Sequence, residues 1–416
     1  MNSLKLHWET LPSKVLGLEV WVVGGLVVAG LISSRALPLA PIALVGFWLL
    51  RGLAYRRFSA ATPAEWAVAG LTLMIPVTLW VTAFPELTHP QVHRLLSGIA
   101  LYYALVNWII TPERLCWAVW GVAAAGFLLA CFATISVEWA PNKVVFVPDL
   151  LYSKFQVLVS DPVHPNVIAG GLVILLPVAL AVLLFAWRRL HWLEKILIGL
   201  AAAWMAAILA LSLSRGAWLA TGIVLVILAA MRWRWGWLAG FAVAIGGGAV
   251  AYFLGVERFV QLLVYSSSTG GIESRIEIWS RALYMIQDFP FTGIGLGSFG
   301  PVADMLYPFF LFQPSTVFHA HNLFLQIAVD LGLPGLIAWL AIFLCMLRLS
   351  WRLYRLGRSN SDCWIAGLGA GLLCSQVALA VHGMLDAVTW GMVRPAPIVW
   401  ALWGLIAAAW GVYSTR

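Results

Sequence analysis

Apolar residues along this chain come in long runs instead of alternating with polar ones, and the runs have the length of a membrane crossing. Twelve of them, 15–32, 36–50, 64–83, 95–110, 115–135, 166–186, 193–213, 216–231, 237–255, 321–349, 363–385 and 396–413, are built mainly from Leu, Val, Ala, Ile, Trp and Phe. A helix needs about 20 such residues to cross some 30 Å of hydrocarbon. The second and eighth runs are shorter and call for little tilt or a partly re-entrant path. The pattern predicts an all-α, polytopic membrane helix bundle of about 12 transmembrane helices.

Two intervening segments are too long to be turns: 136–165, and 256–320 between the ninth and tenth runs. Loops much beyond about 15 residues carry function or are disordered. The chain thus divides into 1–255 with nine helices and the smaller loop, 256–320 as a large loop, and 321–416 with three more helices. Within the large loop, Ile272, Ile276, Trp279, Leu283 and Ile286 are spaced for one helix face. This predicts an amphipathic helix lying on the membrane surface. On it, Arg275 falls beside the apolar stripe, while Arg281 lies opposite, four residues after Glu277, as a solvated partner would.

Composition agrees with a membrane class, since 62% of residues are hydrophobic and 10% charged, against about 25% charged in soluble domains. Charge then sets orientation. Lys5, Lys14, Arg51, Arg56, Arg57, Arg114, Arg188, Arg189, Lys195, Arg232, Arg234, Arg348, Arg352, Arg355, Arg358 and Arg416 all fall in alternate short segments, sixteen of 25 basic residues. The excess of basic residues belongs on the cytoplasmic side. Both termini are therefore expected in the cytoplasm and the 256–320 loop outside. The net charge of +8 reads as topology and contact with anionic membrane lipids, not as a nucleic-acid footprint. The first apolar run has a basic leader but no clear small-x-small cleavage site, so it is expected to be retained. The five cysteines lie in or beside the runs and imply no disulfide framework.

Candidate chemistry gathers on the external side. Residues 295–300 formally match G-x-G-x-x-G, but no β-α-β unit surrounds them, so a Gly-rich turn is expected and not a dinucleotide site. Beyond it come Phe318-His319-Ala-His321-Asn322, entering the tenth run at headgroup depth, with Pro334 able to break the helix below. Arg215 stands at the external junction of the seventh and eighth runs. Taken alone, it could be a snorkelling or topology-fixing arginine, and His321 a capping or packing histidine. Two arginines and a histidine brought to one membrane face instead suit a lipid-linked phosphate or pyrophosphate, with guanidinium forks on the phosphate oxygens and imidazole as proton acceptor. Metal ligation by the His319-x-His321 pair is a further reading. No cluster of Cys or further His adjoins it, so no metal is expected. Lys154, His164 and Asn166 in the smaller loop either line the same cavity or are ordinary interface polarity.

These residues resemble a known family. His321-Asn322, nine residues, then Gly332-Leu-Pro-Gly335 is similar to the H-[NSQ]-x9-G-x-x-[GTY] signature of bacterial O-antigen ligases. Ser214-Arg215-Gly216-Ala-Trp218 and Ser274-Arg275-x3-Trp279, leading to Phe289-Pro290-Phe-Thr-Gly293-Ile-Gly295, resemble the domain shared by O-antigen ligases and polymerases, over about residues 200 to 335. The resemblance implies a GT-C-like glycosyltransferase of the bacterial inner membrane with its site facing the periplasm. It implies transfer of O-antigen glycan from undecaprenyl pyrophosphate to a sugar hydroxyl of the lipid A core, inverting, with no metal or other cofactor. Carried over by position, His321 would be the general base, and Arg215 and Arg275 would hold the pyrophosphate. Beside them, Asn322 and His319, with Lys154 and His164 of the smaller loop, are the candidate substrate-binding residues. An O-antigen polymerase shares the domain and differs in acceptor. A secondary transporter would also explain buried Asp330, Gln376, His382 and Asp386.

Overall fold

The computed structural model describes residues 14–139, 157–159, 161–255, 272–314, 316–391 and 396–414. Lys154 lies outside the described residues. The described helices, in chain order, are α1 (Glu19–Ile32), α2 (Leu39–Tyr55), α3 (Glu65–Val81), α4 (Pro85–Trp108), α5 (Pro112–Ser136), α6 (Pro165–Ala186), α7 (Trp192–Leu211), α8 (Arg215–Arg232), α9 (Trp237–Leu254), α10 (Ile272–Asp288), α11 (Phe299–Leu306), α12 (Leu323–Ser359), α13 (Cys363–Gly383) and α14 (Pro397–Ser414). Each of the twelve apolar runs coincides with one of them. Among the described residues, nine helical stretches are long and apolar enough to cross a membrane. Helix α3 is shorter, at 17 residues, and α4 opens on a polar turn containing His89, His93 and Arg94. The chain is a multi-pass helical membrane protein.

The centre of the bundle is the pair α6 and α13. Helix α6 is apolar on every side and buried along nearly its whole length, as a helix enclosed by others must be. Gly367 and Gly371 of α13 form a small-x3-small stripe that lets the two backbones close up: a Cβ at Gly371 would stand 2.9 Å from the Cβ of Ala181. Helices α12, α8, α5 and α7 pack around this pair, α14 packs between α12 and α4, and α1 and α2 lie at the periphery, tied in by a buried ion pair between Glu19 and Arg51 and by Asn107 Nδ2 donating to Glu19 Oε1 at 2.9 Å.

The amphipathic helix expected in the large loop is α10, but its buried face is rotated from the predicted stripe. Ile278, Ala282 and Met285 are buried, whereas Ile276 and Leu283 are 56% and 48% exposed. The reason is that α10 packs on a second small core, with Ile294, Phe299, Val302, Ala303, Val317, Ala320 and Val329, instead of resting its widest apolar face on the membrane alone. Arg275 stands in line with Ile278 and Ala282, one turn before them, so it points inward. Arg281 lies away from that face, with Nη2 3.5 Å from Glu277 Oε1 and Nε donating to the Pro308 carbonyl at 3.1 Å.

Helix α12 is broken at Gly332, whose φ of 70° and ψ of 179° are not helical. The Gly-rich turn docks against this break. Ile294 N donates to Val329 O at 2.9 Å, and Leu333 N donates to Pro290 O at 2.7 Å. Gly293, at φ 66°, approaches so closely that a Cβ there would lie 2.6 Å from the Asp330 carbonyl oxygen. Only glycine takes this backbone conformation at so short a distance without strain. On its other side, the turn is held by Thr78 and Thr88: Leu296 N donates to Thr78 Oγ1, and Thr88 Oγ1 donates to Leu296 O, both at 2.9 Å.

Candidate active site

The site is assembled on the turn that directly follows α13. Three consecutive residues there receive three different segments. The Met384 carbonyl accepts from Asn322 Nδ2 at 3.2 Å. The Leu385 carbonyl accepts from Arg275 Nη1. The Asp386 carboxylate faces His321 Nδ1 at 3.6 Å and His319 Nε2 at 3.9 Å through one oxygen, and accepts from Asn166 Nδ2 at 3.2 Å through the other. Arg215 joins from a fourth direction. Its neighbour Gly216 lies against Leu385, where a Cβ would sit 3.2 Å from the Leu385 Cβ. Gly216 beside Arg215, Arg275 and His321, from three separate parts of the sequence, thus abut one turn.

Local structure fixes each side chain. Asn322 is the N-cap of α12, its carboxamide oxygen accepting from Phe324 N at 3.0 Å and Leu325 N at 3.1 Å. With its nitrogen on the Met384 carbonyl, Asn322 holds the helix entry in place. His321, just before it, has φ 47°, a left-handed conformation that costs about 1–3 kcal/mol in a non-glycine residue and persists only where its surroundings impose it. Its backbone N–H donates to His319 Nδ1 at 3.1 Å, and the two rings stand 4.1 Å apart. His164 caps α6 through Nδ1, accepting from Asn166 N at 3.2 Å, and lies close enough to disfavour the cationic form of His319.

A buried carboxylate beneath these residues ties the walls together. Asp330 Oδ1 accepts from Gln326 Nε2 at 2.9 Å and from Gly297 N at 3.2 Å, while Oδ2 accepts from Trp390 Nε1 at 2.8 Å. Gln326 Oε1 in turn accepts from Ala320 N at 2.7 Å, between the two histidines. Asp330 thereby connects the His319–His321 strap, the Gly-rich turn and the segment after Asp386. Gln376 is likewise engaged, by Trp403 Nε1 at 2.8 Å. These two polar groups, which a transport path would expose, are instead occupied with structural hydrogen bonds.

The electrostatics are uneven. Burial alone would raise the Asp386 carboxyl, but the imidazoles of His321, His319 and His382 around it outweigh burial and hold it below the usual carboxylate range. Burial pushes His319 down to about 4, with His321 adding to the effect and Asp386 opposing it. Burial also lowers Arg275, against the attraction of Asp386. Arg215 Nη1 and both ring nitrogens of His382 are buried with no hydrogen-bond partner among the described residues. A guanidinium nitrogen so placed is set up for an anionic ligand, because an unsatisfied buried donor costs about 1–3 kcal/mol.

His319, His321 and Asp386 offer ligand atoms within 4.8 Å of one another, close enough to consider a metal ion. Their hydrogen bonding does not suit one. His319 Nδ1 accepts the His321 N–H, so the neutral ring carries its proton on Nε2, the atom a metal would need bare. The same tautomer aims N–H at Asp386.

Asp386 and Asn166 are the site residues hardest to find from sequence. Asp386 stands out only as a carboxylate in an apolar stretch, four residues after His382, and nothing local says that it faces the histidine pair.

The fold and site together describe a multi-pass helical membrane bundle in which arginine, histidine and a buried carboxylate gather around one turn. Residues 200–340 match the family model described as O-antigen ligase, so this part of the chain carries a domain similar to that of O-antigen ligases and polymerases. The match includes Arg215, Arg275, His319, His321 and Asn322, and ends before Asp386. Comparison with curated proteins gave no match.

Proposed function

We propose that this protein is an O-antigen ligase of the bacterial inner membrane, transferring glycan from undecaprenyl pyrophosphate to a hydroxyl of the lipid A core on the periplasmic face. The observation that supports it most is the meeting of Arg215–Gly216, Arg275 and His321 at the 384–386 turn. In this reading, Asp386 orients His321 through Nδ1–H, leaving Nε2 to take the proton from the acceptor hydroxyl. The hydroxyl oxygen attacks C1 of the glycan, the C1–O bond to the diphosphate breaks, and the electron pair leaves with the pyrophosphate. Guanidinium groups of Arg215 and Arg275 stabilise the charge that grows on the departing diphosphate. The carrier is already activated, so no nucleotide is required.

The test is reconstitution with purified lipid-linked glycan and lipid A core, comparing the protein with His321→Ala. Capped lipid A core with the first and none with the second is expected. Lengthened carrier-bound glycan in place of capped core would make the protein a polymerase, and normal capping by His321→Ala would remove the histidine from the chemistry. Translocation of the carrier in proteoliposomes without glycan transfer would point to a transporter.

A further inference from the structure

The three helices that meet at the candidate site meet again at their other ends, around arginines. Helix α6 runs from the His164–Asn166 cap at the site to Ala186, α8 from Arg215 to Arg232, and α13 from Cys363 to the turn that holds Asp386. With 22, 18 and 21 residues they span about 27–33 Å, the thickness of a bilayer core. At the far ends is a cavity of about 680 Å³ lined by Leu183, Phe185, Arg188, Arg189, Arg232 and Cys363, among others.

The arginines there differ in how they are held. Arg232 is fixed: its Nε donates to the Leu184 carbonyl at 2.8 Å, and its guanidinium lies 5.9 Å from the Phe185 ring and 5.7 Å from the Trp233 ring. This uses one nitrogen and leaves both terminal ones to form a fork. Arg188 makes no hydrogen bond or ion pair with the described residues. Arg189 Nη1 pairs with Asp362 at 2.8 Å. Three guanidinium groups against one carboxylate leave two positive charges over an apolar wall. Around them Trp187, Trp192, Trp233 and Trp235 are exposed, and tryptophans of this kind mark headgroup depth.

We propose that this cavity binds the phosphate headgroup of an anionic phospholipid, on the membrane face opposite the candidate active site. The Arg232 fork and Arg188 take the phosphate oxygens, and the acyl chains run along the half-buried Leu183 and Leu184 of α6 and the apolar end of α8. Guanidinium is suited to this because its planar donors match phosphate bidentately, and an apolar wall beside them selects a lipid over a free ion.

The test uses native mass spectrometry of the full chain in detergent, titrated with phosphatidylglycerol, cardiolipin, phosphatidylethanolamine or inorganic phosphate. The anionic lipids should be retained about ten-fold better than phosphatidylethanolamine. Arg188→Gln with Arg232→Gln should remove that preference, while Arg56→Gln with Arg57→Gln, which deletes the same charge elsewhere, should keep it. If the double variant does not elute as a folded monodisperse species, Arg188→Gln alone, which breaks no hydrogen bond or ion pair with the described residues, takes its place and should weaken retention by several-fold. Equal retention of the zwitterionic lipid, a preference that survives the substitutions, or displacement of lipid by millimolar phosphate would each overturn the proposal.

Discussion

His321 Nδ1 stands 3.6 Å from Asp386 Oδ1, a little beyond a hydrogen bond, across 65 residues of sequence that fold through two long helices. The separation is short enough for the carboxylate to select the tautomer with the proton on Nδ1, and in the proposed reaction this contact would tighten when substrate binds.

Asp386→Asn should therefore lower the transfer rate by about 100-fold or more, with little change in the apparent affinity for the lipid-linked donor. An amide cannot favour the same tautomer in the same way. A rate within a few-fold of the unsubstituted protein, measured in the reconstituted assay, would leave the carboxylate without that role.

Arg275 and Arg281 lie six residues apart on α10 and have opposite surroundings. Arg275→Ala removes an inward guanidinium bonded to the Leu385 carbonyl, and activity should fall about 10- to 100-fold, as expected for a charge-assisted contact. Arg281→Ala removes a partner of Glu277 and the Pro308 carbonyl and should cost only a few-fold. The reverse ranking would mean that the outward face of α10 meets the substrate.

Asp330 accepts from three N–H donors. Asparagine offers one acceptor oxygen, so in Asp330→Asn an NH2 group must confront at least one donor. The expected loss is about 1–3 kcal/mol in stability, together with a lower transfer rate as the His319–His321 strap loosens. Adding Trp390→Phe removes the opposing N–H and should recover part of the loss. A double variant worse than the sum of the single ones would show that the indole matters for packing instead.

Stability should depend on pH through His319. Its imidazole binds a proton near 6.5 when unfolded but only near 4 when folded. Between those values the unfolded chain holds more protons, so stability rises with pH. The contribution is complete above about 6.5 and is lost as pH falls toward 4. The thermal midpoint in detergent should thus drop from pH 7 to pH 5, and His319→Gln should shallow that slope. An unchanged slope would place the titration elsewhere.

Activity in the reconstituted system should survive EDTA, because the tautomer that lets His319 Nδ1 accept the His321 N–H leaves Nε2 protonated and unable to ligate. Loss of activity on chelation, restored by one divalent cation, would require the His319 ring to turn over.

The sequence by itself determined the class of the molecule and the local pieces. Apolar run length is a one-dimensional property, so a helix at each run could be read directly, while nine described stretches are long and apolar enough to cross a membrane. The inward Arg275 and the Glu277–Arg281 pair also followed from helical periodicity, which acts within a turn or two. The O-antigen ligase signature was visible too, and its spacing now has a cause: Asn322 caps α12, and Gly332 breaks it where the Gly-rich turn docks. Tertiary structure alone decided that Asp386 faces both histidines, that Asn166 reaches it from 220 residues away, and that Arg275 binds a carbonyl 110 residues on. It also rotated the buried face of α10 by giving that helix a core of its own. Such meetings depend on how helices pack side by side in three dimensions, and neither hydropathy nor spacing along the chain carries that information.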